Sequence, residues 1–83
     1  MRAEWKPAAL RALRKLDRRD RERVLTAVER LEREGLGDVV RLAGTTPPEY
    51  RLRVGDFRVR FGRDVEASTI VILHVAHRRE AYR

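Results

Sequence analysis

The 83-residue chain contains no cysteine, so neither a disulfide framework nor a thiolate metal site is open to it. Ser68 is its only serine and falls in a turn-like stretch, which leaves no serine-type triad. The few glycines mark turns and build no phosphate-cradling loop. His74 and His77 stand three apart on a strand-like run and so point to opposite faces. Glu80 is the single carboxylate near them, so no metal site and no cofactor are expected. Long apolar runs are missing as well: the longest, Ile70 to Leu73, is far too short to span a bilayer. Met1-Arg2-Ala3-Glu4-Trp5 carries no apolar signal core. A cytoplasmic protein without a membrane partner is the expectation, built as one domain over residues 1–83 with a modest core.

Lysine is scarce, at 2 residues against 18 arginines, within 20 basic and 13 acidic residues and a net charge of +7. A biased genome explains part of that ratio but not its placement. In the first forty residues 11 basic and 8 acidic side chains interleave, as on solvated helix faces. The stretch YRLRVGDFRVRF, residues 50–61, instead carries four arginines and one acid, Asp56. Gly55-Asp56 suits a two-residue hairpin turn. That turn sets the register: Val54 faces Phe57, Arg53 faces Arg58, Leu52 faces Val59, Arg51 faces Arg60 and Tyr50 faces Phe61. Tyr50, Leu52, Val54, Phe57, Val59 and Phe61 then form one apolar face, and Arg51, Arg53, Arg58 and Arg60 the other. Like charges directly opposite cost about 0.2–1 kcal/mol per pair. An unbalanced basic face of this kind points to a polyanion, with nucleic acid the leading candidate.

Along the rest of the chain, Arg2 to Trp5 reads as a short strand, with Trp5 in the core. Pro7 to Leu16 reads as a helix with Leu10, Leu13 and Leu16 on one stripe. Asp17 caps a second helix, with Asp20 three residues on, Val24, Val28 and Leu31 as its buried stripe, and Gly35 as its stop. Leu36 to Glu49 reads as a connecting loop pinned to the core by Val39, Val40 and Leu42. A second turn spans Asp64 to Ser68, and Thr69 to Ala76 is a strand buried on both faces. The fold class is a two-layer α+β domain: a short N-terminal strand, an αα-hairpin, then an antiparallel meander (β-α-α-β-β-β). Unbroken alternation through the last strand puts Ile70, Ile72, His74, Ala76 and Arg78 on one face, beside the arginines. Val71, Leu73, Val75 and His77 take the other.

Planar guanidinium forks match phosphate oxygens. Arginines around a scissile phosphate stabilise the charge that develops when a neighbouring 2′-OH attacks it, with no metal required. Tyr82 offers a ring to stack on an unpaired base.

Tyr50 to Val59 and the ending HRREAYR, residues 77–83, resemble the RelE group of the RelE/ParE toxin superfamily, and the order of helices and strands fits over essentially the whole chain. The resemblance implies a type II toxin that cuts messenger RNA in the ribosomal A site. Its chemistry is 2′-OH transesterification without metal, and a cognate antitoxin neutralises it in a toxin–antitoxin hetero-oligomer. The family's two basic residues of the first hairpin strand match Arg51 and Arg53, and its arginine of the second strand matches Arg58. The arginine after the last strand matches Arg78, and the tyrosine that follows matches Tyr82. In these roles Arg53, Arg58 and Arg78 hold the scissile phosphate, Arg51 orients the neighbouring backbone and Tyr82 stacks. Two departures stand out. RelE itself has lysines at the first two places, and arginine cannot act as a base, which leaves His77, His74 and Tyr82 as candidate bases. The position of Arg60 is usually apolar in the family; Arg60 and Arg79 are candidate RNA-gripping residues, with solvated surface charge as the competing reading. A ParE-like toxin that poisons DNA gyrase by binding, and a non-catalytic RNA-binding module, are the alternative functions.

Overall fold

The computed structural model describes residues 1–81. β1 (Arg2–Trp5) leads into α1 (Pro7–Lys15) and α2 (Arg18–Glu34), followed by β2 (Asp38–Arg41), β3 (Glu49–Val54), β4 (Phe57–Asp64), β5 (Thr69–His77) and a short α3 (Arg78–Ala81). The expected α+β order is present. The strands form one sheet in the order β1-β5-β4-β3-β2. β1 runs parallel to β5, and the remaining neighbours are antiparallel.

Local chemistry delimits the helices. Proline opens α1, where its missing N–H costs nothing. The Asp17 carboxylate accepts the Asp20 N–H at 2.9 Å, satisfying one of the free donors at the start of α2. Gly35 ends α2 in the left-handed region at φ 68°, and its N–H donates to the Leu31 carbonyl at 3.0 Å, the usual glycine stop. One face of the sheet packs on the helices. Phe61, Leu52, Ile72, Val59, Val24 and Val28 are its fully buried side chains, and Trp5 packs against them partly exposed. Truncating Phe61 to alanine would cost about 3–5 kcal/mol.

The hairpin has the register expected from the turn. Val54 pairs with Phe57, Arg53 with Arg58, Leu52 with Val59, Arg51 with Arg60 and Tyr50 with Phe61. Gly55 has φ 57°, the positive value that the first central residue of a hairpin turn requires. A side chain there would also meet the Arg23 guanidinium, whose Nη2 lies 2.5 Å from the Cβ position.

Two expectations are corrected. The segment read as loop from Leu36 to Glu49 contains a fifth strand, β2, paired along β3 from Asp38↔Arg53 to Arg41↔Tyr50. β2 is short and mostly exposed, so its own alternation is weak and its strand character comes from its neighbour. Of the residues expected to pin this segment, Val39 packs on the core, whereas Val40 is exposed. The second correction concerns parity in β5. Arg60 pairs with His74, but Phe61 pairs with Ile72, so Leu73 is an extra residue, a β-bulge. Ile70 and Ile72 therefore lie in the core rather than beside the arginines, while His74 and Ala76 do join the arginine face.

Candidate functional site

The face of the sheet turned away from the helices carries two cross-strand rows. One runs Val40–Arg51–Arg60–His74, the other Asp38–Arg53–Arg58–Ala76. Residues opposite one another share a face, so the rows bring arginines from two strands against one histidine and one small residue. Ala76 leaves room beside Arg58. Leu42, Arg51, Arg58, Arg60, His74, Ala76 and Glu80 line a pocket of about 350 Å³ over these rows.

The arginines are not equivalent. Arg60 is half exposed and ion-paired with Glu49 at 2.9 Å. Arg53 is exposed, with Asp38 as its cross-strand neighbour on β2. Arg58 is only 8% exposed. Its Nη1 donates to the carbonyls of Gly55 and Phe57, each at 3.0 Å, which aims the guanidinium along the sheet. Among the described residues, the Nε atoms of both Arg51 and Arg58 are buried with no hydrogen-bond partner. A guanidinium does not release its proton in a protein. An unsatisfied buried donor costs about 1–3 kcal/mol, and more when charged.

The other residues singled out from the sequence fall in three places. His74 lines the pocket. His77 pairs with Phe57 across the ladder and meets the Phe57 ring edge-on, with centroids 5.5 Å apart. It therefore lies on the helix side of the sheet, away from the arginine rows. Its Nδ1 accepts the Arg79 N–H at 3.2 Å. Arg78 begins α3; its N–H donates to the Asp56 carbonyl at 2.6 Å, and its guanidinium lies 3.9 Å from the Asp56 carboxylate. Arg79 is exposed beside it. Tyr82 lies outside the described residues.

Sequence reasoning missed Glu49, Asp38, Leu42 and Glu80 as neighbours of the arginines. Glu49 was within reach, since it stands two residues before Arg51 and so shares its face. Asp38 and Leu42 depend on β2, and Glu80 depends on α3.

A small α+β protein whose sheet gathers four arginines on one face, three of them lining one pocket, presents a basic surface there. Its family follows from comparison: the family described as ParE toxin of type II toxin–antitoxin system, parDE, matches residues 3–82. The chain belongs to this RelE/ParE superfamily of toxins. It is similar to the toxin of the RelBE2 toxin–antitoxin complex from Mycobacterium tuberculosis, at 31% identity and a TM-score of 0.80, over 92% of this chain and 95% of that one. It is also similar to a chain of the archaeal RelE–RelB complex from Pyrococcus horikoshii, at 30% identity and a TM-score of 0.78, over 93% of each chain. A chain of the RelB–RelE complex from Methanococcus jannaschii shares the fold at 21% identity, with a TM-score of 0.76 and coverage of 94% and 93%. None of the curated proteins matches the chain.

Proposed function

We propose that this toxin is an endoribonuclease that cuts messenger RNA in the ribosomal A site by attack of a 2′-OH on the adjacent phosphate. The observation that supports the reading is the gathering of Arg51, Arg58, Arg60 and His74 around one pocket. Their chemistry suits a phosphate whose oxygens gain charge in the transition state, and fixed donors stabilise that charge without reorganising. His74 lines the same pocket and is the group there suited to take the proton from the 2′-OH. The 2′-oxygen then bonds to phosphorus, the bond from phosphorus to the 5′-oxygen breaks, and the leaving oxygen takes a proton from solvent, giving a cyclic phosphate end and a 5′-OH end. Arg60 lines the pocket as a steering charge, and Arg53, in the neighbouring row outside that lining, adds to the basic face. Arg78 and Tyr82 are assigned to the flanking nucleotides, with Arg78 swinging from Asp56 when RNA enters.

The partner in the cell is an antitoxin. Similar chains are found in complexes with RelB antitoxins, and a chain of net charge +7 suits an acidic, flexible segment that folds on contact. A second reading, a ParE-like toxin that poisons DNA gyrase, is favoured by the description of the matching family. Induction of the toxin alone separates the two. Immediate arrest of translation with messenger RNA cut within ribosome-bound codons supports the ribonuclease. A DNA-damage response with translation intact supports gyrase poisoning and rejects it.

A further inference from the structure

α1 differs from α2 in how its charges are arranged. On α2, Arg18 pairs with Glu22 at 3.1 Å and Arg30 with Glu34 at 3.5 Å. α1, from Pro7 to Lys15, carries Arg11, Arg14 and Lys15 and no acid. Arg11 and Lys15, one helical turn apart and exposed, project on the same side. They border a second pocket of about 400 Å³ between α1 and the end of β5. The apolar and aromatic part of its lining comes from Ala8, Ala12, Leu16, Phe57, Val75 and the His77 ring.

The topology connects this pocket to the arginine site. β1 pairs with β5 only as far as Trp5↔Ile72, after which the chain turns away, its Lys6 N–H donating to the Ile72 carbonyl at 2.9 Å. Among the described residues, no strand lies on the outer side of β5 from His74 onward. The two pockets meet across that uncovered edge, and His74 and Glu80 line both. A strand of RNA seated on the arginines that leaves the sheet past His74 arrives at Arg11 and Lys15.

We propose that the pocket beside α1 is a second nucleotide subsite: it takes the base of the nucleotide next to the scissile phosphate against its apolar lining, and the following phosphate on Arg11 and Lys15. The proposal rests on the reading of the arginine pocket as a phosphate site. Stacking and contact with an aromatic or apolar wall accept any base, so this subsite adds affinity and register rather than sequence choice.

The test is binding of uncleavable 2′-O-methyl RNA to the free toxin, followed by NMR titration at several salt concentrations. A dinucleotide with one phosphate reports the arginine pocket, and a pentanucleotide reaches both. The double variant Arg11→Gln/Lys15→Gln is compared with Arg18→Gln/Arg30→Gln, which removes the same charge from pairs on α2. In the first variant the pentanucleotide should bind more weakly, and its slope of log K against log salt should fall by about 0.7, the value for one single-strand phosphate contact. The dinucleotide should be unaffected. Equal slopes in the two double variants overturn the subsite. So does a double variant that keeps its RNA affinity but loses an acidic antitoxin, since the surface would then be a protein contact. A separate arm, Arg58→Gln, distinguishes the underlying reading: if it leaves both oligonucleotides bound as before, the arginine pocket is not the phosphate site and the proposed function falls first.

Discussion

Replacing Arg58 by methionine separates the needs of the fold from those of the site. Methionine has nearly the same reach and no charge. The change deletes two hydrogen bonds from a charged donor, to the Gly55 and Phe57 carbonyls, each worth about 1.5–3 kcal/mol. Against that loss stand two gains. The guanidinium in a site only 8% exposed no longer carries the desolvation cost of its unsatisfied donor, about 1–3 kcal/mol and more when charged. The repulsion from Arg53 directly opposite, about 0.2–1 kcal/mol, disappears. The gains offset the loss of about 3–6 kcal/mol to within a few kcal/mol, and at about 4–8 °C of melting temperature per kcal/mol for a chain of this size the midpoint should move by less than about 20 °C in either direction. Single-turnover cleavage on programmed ribosomes should fall by about 10²–10³-fold, the scale for losing one fixed donor to a developing oxyanion. Arg60→Gln, at a half-exposed position already paired with Glu49, serves as the matched comparison and should lose under tenfold. Unchanged cleavage in Arg58→Met would refute the anion argument. A fall of the midpoint beyond about 20 °C would instead make Arg58 a structural strut of the turn.

Other expected outcomes follow from the same geometry. His74→Gln should lower single-turnover cleavage by about 10²–10⁴-fold, the usual contribution of a general base, whereas His77→Gln, on the helix side of the sheet, should act mainly on stability; the reverse pattern in rate and melting measurements would exclude His74 as the base. Glu80→Gln removes the carboxylate that lines the arginine pocket and should tighten binding of a short oligonucleotide at low salt, an effect that weaker binding in the same titration would contradict. Gly55→Ala forces a side chain into positive φ and against Arg23, so chemical denaturation should show a loss of at least about 1 kcal/mol, and an unchanged midpoint would mean that the turn relaxes. Asp17→Ala deletes the cap of α2 and should cost about 1 kcal/mol in the same assay.

The parts of this protein legible from its residues are those governed by local periodicity and turn chemistry. Proline at the start of α1, the Asp17 cap and the Gly35 stop delimit the helices through neighbours a few residues away. Gly55-Asp56 ties two alternating strands into one register, so Arg51, Arg53, Arg58 and Arg60 had to share a face. Tertiary structure decided what depends on partners remote in sequence. β2 is a strand because β3 offers it a ladder, and it brings Asp38 beside Arg53. The bulge at Leu73 shifts the parity of β5, because a run of apolar side chains fits the core in either phase and only the sheet and the helices choose between them. That shift puts Ile70 and Ile72 in the core, while His74 and Ala76 lie beside the arginines and His77 faces Phe57, as unbroken alternation had placed them. The burial of Arg58, and of the Nε atoms of Arg51 and Arg58, arises only once β2 and β5 flank the hairpin. Sequence alternation assigns a residue to a face, but whether a charge on that face is solvated, paired or left waiting for an anion is set by the side chains that the fold gathers around it.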